Sequence, residues 1–182
     1  ATVTTGSYNI ALGYEALTNN VETNYNTAIG YLAGKSTQGT QNQGKNVIIG
    51  YKADVISPIT FSGSNVVIGA EAESDTYNNI VIGNSAKSLV RNGGANITIG
   101  ERCQQADRSY NCIFIGQNLS NQEFTAPIIK IGYQSNHISC DYTIGATWSH
   151  NSDQHLKKEI QDDTLGLNLI RKLRPRTFKW KA

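Results

Sequence analysis

The sequence predicts an all-β protein: a trimeric parallel β-roll or β-solenoid of about nine short turns, followed by a small α+β C-terminal fragment. Three observations predict the β-solenoid and the boundary after it: a recurring phrase before residue 150, apolar positions with period two within that phrase, and a change of composition near residue 151. The phrase consists of Asn or Asp, an apolar residue, any residue, Ile or Leu, and Gly. Its nine glycines are Gly13, Gly30, Gly50, Gly69, Gly83, Gly100, Gly116, Gly132 and Gly145.

The spacing and the apolar pattern of the phrase both indicate stacked strands. The phrase recurs on average every ~16 residues, a length that fits one turn of a β-solenoid and is too short for helical-pair repeats. The intervals are unequal, so the loops are expected to differ between turns. Apolar, mostly β-branched residues stand one and three positions before each Gly, which is the period of a strand and the side-chain shape that strands favour.

Three further columns of the phrase have structural interpretations. The Gly marks a corner with positive φ, or a point where the neighbouring backbone leaves no room for a Cβ. The Asn or Asp four residues before it is expected to stack into a ladder that caps the backbone of each corner; a ligand-binding row is the alternative. Small residues three positions after the Gly, Ala16 to Ala86 and then Cys103, allow a second short strand to approach closely.

A coil this small predicts that several chains assemble. Its interior is only one or two side chains wide, so a lone chain would expose much apolar surface. Three chains around one axis would cover that surface.

The repeat resembles a known family. It reads NTAIGYLAG at residues 26–34 and NVIIGYKAD at residues 46–54, and this pattern is similar to the head repeat of trimeric autotransporter adhesins, Asn-Ser-x-Ala-Ile-Gly-x-x-Ala. The resemblance covers residues 9–148 and implies a left-handed parallel β-roll of three packed chains. The turns here are less regular, Asn111 is displaced by one residue, and Ile128 replaces the Asn of its turn.

Residues 151–182 differ from residues 1–150, which we assign to the repeat domain. Residues 1–151 carry 8 basic and 10 acidic side chains, and residues 152–182 carry 8 and 4. Thr164 is a candidate cap of a short helix that Pro175 ends, and residues 176–181 are typical of a strand. The stretch from Ser152-Asp153 to Pro175, Phe178 and Trp180 resembles the start of the intramolecular chaperone domain at the C-terminus of phage tail spikes, endosialidases and related fibres.

That resemblance implies self-cleavage next to Ser152. In the family the domain holds three chains in register during folding and is then released by a Ser with a Lys five residues later, which correspond to Ser152 and Lys157. Lys157 must be neutral to take the proton of the Ser152 hydroxyl, so its pKa must fall well below its usual ~10.4. Asp153 would orient the backbone, and His155 is an alternative base. Without the resemblance, the segment is typical of a helix cap and a charged turn, and only the start of the domain is expected at 151–182.

The sequence thus predicts a structural or receptor-binding segment of a homotrimeric phage tail fibre or spike, on the virion surface and assembled in the host cytoplasm. Its receptor would be a host-surface glycan or protein, and its only enzymatic activity would be one self-cleavage by the Ser/Lys pair. A bacterial adhesin head and a glycan-cleaving spike are the alternatives. The second needs a pair of converging carboxylates, and the candidates are scattered: Glu71, Glu73, Asp75, Glu101, Asp107 and Glu123.

Other chemistries have little support in the sequence. No apolar run reaches the ~18 to 20 residues of a membrane-spanning helix. Three cysteines at spacings of 9 and 28 fit neither a disulfide framework nor a zinc site, so we expect small core residues, and no metal or cofactor. The slightly acidic repeat does not favour nucleic acid. Tyrosines after four of the glycines would cover the seam between strands or form a strip for carbohydrate stacking.

Overall fold

The structure is a computed structural model of the 182-residue chain. It divides into two units, Ala1–Asn151 and Ser152–Ala182. It describes residues 6–38, 44–56, 63–90, 93–105, 108–120 and 127–142, and the backbone of 148–150. The helix expected after Thr164 and the strand expected at 176–181 lie outside the described residues.

The described backbone is built of short strands and turns, without a helix. The strands are β1 Ile10–Leu12, β2 Thr27–Ile29, β3 Val47–Ile49, β4 Asp54–Val55, β5 Val66–Ile68, β6 Glu73–Ser74, β7 Ile80–Ile82, β8 Lys87–Ser88, β9 Ile97–Ile99, β10 Gln104–Gln105, β11 Ile113–Gln117, β12 Ile128–Tyr133, β13 Asn136–Asp141 and β14 Trp148–His150. They form a large sheet in the order β1-β2-β3-β5-β7-β9-β11-β12-β13-β14 and a small sheet in the order β10-β8-β6-β4.

The strand of each phrase pairs in parallel with the strand of the next phrase. Ile48, for example, lies between Ala28 and Val67, and the same register continues from β1 to β12. β4, β6, β8 and β10 follow their phrases by a few residues and stack in the same way. The all-β, parallel β-solenoid prediction is therefore confirmed, with about six turns between Gly13 and Gly116 and a further step to β12.

The solenoid ends earlier than the nine phrases indicate. After β12 the chain makes a two-residue turn at Gln134 and Ser135, and β13 returns antiparallel to β12. The eighth parallel strand is thus the last of the stack within the described residues, and Gly145 lies outside them. Residues 137–142 alternate polar and apolar side chains immediately after the turn, which is typical of a strand, and this strand pairs with β12 as a hairpin.

One side chain from each phrase strand between β2 and β11 fills the interior. The middle residues Ala28, Ile48, Val67 and Val81 are fully buried, and the small residues after each corner, such as Ala53, contact them. Farther along, Cys103, Cys112, Phe114 and Leu119 form a second cluster. The three cysteines are buried and free, as expected of small core residues.

The repeated glycine meets both conditions that the sequence suggested. From Gly13 to Gly132 the φ of each lies between +124° and +150°, a region that L-residues rarely adopt. A Cβ on Gly69 would lie 2.6 Å from the carbonyl carbon of Gly83 and closer still to its oxygen. From Gly13 to Gly116, each phrase glycine therefore packs against the glycine of the next turn, and Gly132 packs against Asn136 and His137 of the hairpin.

The asparagines form the predicted ladder. Asn46 donates from its backbone N and from Nδ2 to Asn26 Oδ1, at 3.1 and 2.9 Å, and Asn65 repeats both bonds with Asn46. The ladder ends where the backbone N of Cys112 donates to Asn96 Oδ1 at 2.9 Å. Asn111, one residue earlier, has a φ of 53° and occupies the left-handed position that precedes each ladder residue.

Candidate oligomer interface

The outer face of the large sheet carries two columns of aliphatic side chains. These are the residues one and three positions before the glycines, which flank the buried middle residue and point away from the interior. Fifteen of the sixteen are Ile, Val or Leu. The sixteen residues are Ile10, Thr27, Val47, Val66, Ile80, Ile97, Ile113, Ile129, Leu12, Ile29, Ile49, Ile68, Ile82, Ile99, Ile115 and Ile131.

These side chains remain partly open to solvent although neighbouring turns cover their flanks. Ile80, Ile115 and Ile131 are 36–39% exposed, and at the end of the stack Ile10 and Leu12 reach 59% and 65%. Eight strands about 4.8 Å apart make the strip about 34 Å long. A continuous apolar strip on a sheet face is characteristic of a surface that another protein covers.

The outer face of the small sheet has the opposite character. Its outward residues are Asp54, Glu73, Lys87 and Gln104, stacked in register. Lys87 Nζ lies 2.6 Å from Glu73 Oε2. The outer faces of the two sheets therefore differ in polarity, and of these two faces, within the described residues, the apolar one belongs to the large sheet.

Asp54 is the most enclosed charged group of the small sheet. Its carboxylate accepts hydrogen bonds from the backbone N of Ser36, at 3.0 and 3.1 Å, and from that of Val55 at 2.9 Å. Burial nevertheless has the largest effect and raises the pKa of Asp54 above its ordinary value. The group is fixed by its neighbours' backbone and is not presented to a ligand.

The tyrosines that follow the glycines stack on one another. The ring centroids of Tyr14 and Tyr31, and of Tyr31 and Tyr51, are 5.4 Å apart, with interplanar angles of 12° and 11°. Lys52 Nζ lies 5.1 Å from the ring centroid of Tyr51. Because Tyr31 lies between two rings and Tyr51 contacts both a ring and Lys52, the stack favours the seam-covering interpretation over carbohydrate stacking, which needs open faces.

Lys130 closes the last turn of the interior, a role that sequence reasoning missed. It occupies the column of Phe114, and its Nζ lies 5.4 Å from the Phe114 ring centroid and 3.1 Å from the carbonyl O of Ser120. Burial lowers the pKa of Lys130. A lysine in a column otherwise filled by uncharged residues was the available signal that the stack ends there.

The residues proposed for self-cleavage, Ser152, Asp153 and Lys157, and the alternative base His155, lie outside the described residues. So do Asp107 and Glu123 among the carboxylates considered for glycan cleavage.

The remaining carboxylates are engaged separately. Asp75 accepts a hydrogen bond from the backbone N of Val90 at 2.6 Å. Glu101 accepts from Gln117 Nε2 at 2.6 Å, and Glu73 pairs with Lys87 as described above. These separate partners do not pair Glu73, Asp75 and Glu101 with one another as glycoside hydrolysis requires, and the carboxylate next to Glu73 in the register is the enclosed Asp54.

Two kinds of feature are absent from the described part of the chain. It has no group of three or more His, Cys, Asp or Glu side chains arranged to hold a metal ion. It also has no helix with the length and hydropathy needed to cross a membrane.

Comparison of the chain with protein-family models, with curated proteins and with solved structures found no match.

Proposed function

We propose that the chain is a structural or receptor-binding segment of a homotrimeric fibre or spike, of the kind that tailed phages carry on the virion surface. The single observation that carries the trimer is the aliphatic strip on the outer face of the large sheet. A second copy of the same strip is the partner whose chemistry fits it, because both surfaces are apolar, equally long and built with the same repeat of about 4.8 Å.

The shape of the coil supports a fibre more than a catalyst. Its turns repeat one backbone geometry, and the interior is filled by one or two side chains per turn. Such a coil extends along one axis and depends on its neighbours for stability. The assignment to a phage fibre rather than a bacterial adhesin head rests on the sequence from Ser152 to Trp180, since both classes share the repeat.

The folding and self-cleavage part of the proposal concerns the second unit. A repetitive coil that slips by one whole turn keeps nearly the same apolar pattern, so an external clamp that fixes the register is useful. Lys157 in its neutral form takes the proton of the Ser152 hydroxyl, and the Ser152 oxygen attacks the carbonyl carbon of a peptide bond next to it. The C–N bond breaks as the leaving amine takes the proton from Lys157, and water hydrolyses the resulting ester to give the free carboxylate and restore the Ser152 hydroxyl.

The trimer is tested by placing one charge on each face of the coil. Ile68→Asp introduces a carboxylate into the centre of the aliphatic strip, and we expect it to dissociate the trimer in sedimentation velocity. Gln104→Asp adds the same charge to the polar outer face of the small sheet and should leave the trimer intact.

A milder variant covers the case in which Ile68→Asp does not fold. Ile68→Thr keeps the β-branched shape that Thr27 already supplies in the neighbouring column, and it should weaken the trimer while retaining the β circular dichroism spectrum. If both Ile68 variants remain trimeric, the assigned interface is contradicted. It is also contradicted if the Gln104→Asp variant dissociates as much as the Ile68→Asp variant.

Self-cleavage is tested by mass spectrometry on a chain that continues beyond Ala182. Ser152→Ala and Lys157→Ala should both abolish the cut next to Ser152, and Lys157→Arg, which keeps the charge, should abolish it as well. Processing that persists at this junction in these variants would overturn the Ser/Lys assignment.

A further inference from the structure

Three buried polar oxygens without a hydrogen-bond partner lie in the interior at the fifth and sixth turns. They are Ser88 Oγ, Thr98 Oγ1 and Gln105 Oε1, on side chains that are 0%, 0% and 1% exposed. A fourth such oxygen, Thr37 Oγ1, belongs to an earlier turn. A buried hydroxyl or amide oxygen left without a partner costs about 1–3 kcal/mol, so three in one region require an explanation.

The register places the three side chains on two adjacent turns, with Thr98 and Gln105 in the turn of Gly100 and Ser88 in the turn of Gly83 before it. Ser88 and Gln105 are direct partners on β8 and β10. The Gln105 side chain crosses the interior, where its Nε2 lies 3.2 Å from the carbonyl O of Ile97, the residue next to Thr98. Nε2 also lies 3.4 Å from the carbonyl O of Cys112. Because both partners only accept, the orientation of the amide is fixed, and Oε1 remains as an acceptor.

The preceding turn shows how the chain satisfies an equivalent hydroxyl. Ser74, the register partner of Ser88, donates from Oγ to Asn65 Oδ1 at 3.3 Å and accepts from Asn79 Nδ2 at 3.1 Å. At Ser88 the corresponding Nδ2 belongs to Asn96, which donates instead to the carbonyl O of Ser109 at 3.1 Å. The asparagine ladder therefore gives the Ser88 hydroxyl no hydrogen bond of the kind that Asn79 gives Ser74.

We propose that Ser88, Thr98 and Gln105 bind one internal water molecule. The two hydroxyls donate to the water oxygen, and the water donates to Gln105 Oε1, which gives the water three hydrogen bonds, the usual number for a buried water. Water fits better than a cation because no carboxylate is among the three ligands and two of them are hydroxyls able to donate. The site would also distinguish these turns from their aliphatic neighbours and so oppose slippage by one turn.

Opposite substitutions at two equivalent positions test the site. Thr98→Val removes one ligand without changing shape, and we expect it to lower the folding equilibrium constant about tenfold in urea unfolding at one protein concentration. Val67→Thr adds a hydroxyl in the same column two turns earlier, where the structure has no such group of ligands, and calibrates the cost of an unpartnered hydroxyl. If Thr98→Val instead stabilises the protein, the hydroxyl has no ligand and the proposal is overturned.

A double-mutant cycle tests whether the ligand is shared. Ser88→Ala and Thr98→Val should each lower the free energy of unfolding. The double variant should lose less than the sum of the two single losses, because the second substitution removes a ligand from a water that is already bound less tightly. Additive effects would exclude a common water. A crystal structure of the protein should show one density peak about 2.7–3.2 Å from each of the three oxygens. The absence of a peak would overturn the proposal. A peak with shorter distances and additional ligands, as a metal ion would have, would overturn it as well.

Discussion

Replacing Gly69 by Ala should destabilise the protein strongly, although it adds a single methyl group. Gly69 lies in the middle of the stack with a φ of +137°. Its added Cβ would lie 2.6 Å from the carbonyl carbon of Gly83, and that atom belongs to backbone that cannot rotate away. The backbone strain costs about 1–3 kcal/mol and the overpacking about 1–3 kcal/mol, so we expect a loss of roughly 2–6 kcal/mol per chain.

The assay is urea unfolding followed by circular dichroism at one protein concentration, since assembly makes the midpoint concentration-dependent. Asn84→Ala is the matched control, because Asn84 is exposed at the next corner and its replacement should change stability by less than about 0.5 kcal/mol. Gly13→Ala should cost less than Gly69→Ala, because the first described turn has a neighbour on one side only and frays more easily. A Gly69→Ala protein as stable as the Asn84→Ala control would refute the glycine packing.

Three further predictions concern the ladder, a buried carboxylate and a corner. Asn65→Ala should cost at least about 3 kcal/mol in urea unfolding, because it removes the acceptor of Asn79 N and the donor to Asn46 Oδ1 inside the protein; a loss below about 1 kcal/mol would contradict a structural ladder. The raised pKa of Asp54 means that the folded state favours its neutral form, so its contribution to stability falls as the pH rises above 3.8. As the pH rises from about 4 to 7, the Asp54→Asn variant should therefore become more stable relative to wild type. If it becomes less stable relative to wild type over this range, the backbone donors to Asp54 outweigh burial. Lys45 has a φ of 69°, so Lys45→Asn should stabilise by a few tenths to about 1 kcal/mol and Lys45→Val should destabilise; the reverse order would contradict the left-handed corner.

The repeat made most of the coil predictable from the sequence. Period-two apolar residues, a Gly with a backbone role and an Asn at a fixed offset each report a local requirement that every turn repeats, so nine weak signals reinforce one another. The hairpin after Tyr133 was harder to foresee because the last phrase keeps an Ile-Gly pair. Two signals favoured an end of the stack: the interval from Gly132 to Gly145 is the shortest between successive glycines of the phrase, and Ser135 stands where earlier turns have Ala, Cys or Leu.

The candidate interface was predictable in kind but not in orientation. Alternation identifies two faces of a strand and does not say which one is covered by the same chain. The sequence suggested that a lone chain leaves apolar surface exposed. Only the structure shows that the β-branched columns, such as Ile49 and Ile68, face outward while the more variable middle residue faces inward. The internal polar group at Thr98 escaped notice because a single Thr among Val and Ile keeps the strand pattern.

Light scattering on the wild-type chain tests most directly whether sister chains cover the aliphatic strip. We expect a molar mass three times the 19.8 kDa of a single chain, independent of protein concentration over the micromolar range. A folded, β-rich protein with a molar mass of 19.8 kDa would show that the strip is stable in water without a partner. That result would remove the basis for a trimeric fibre.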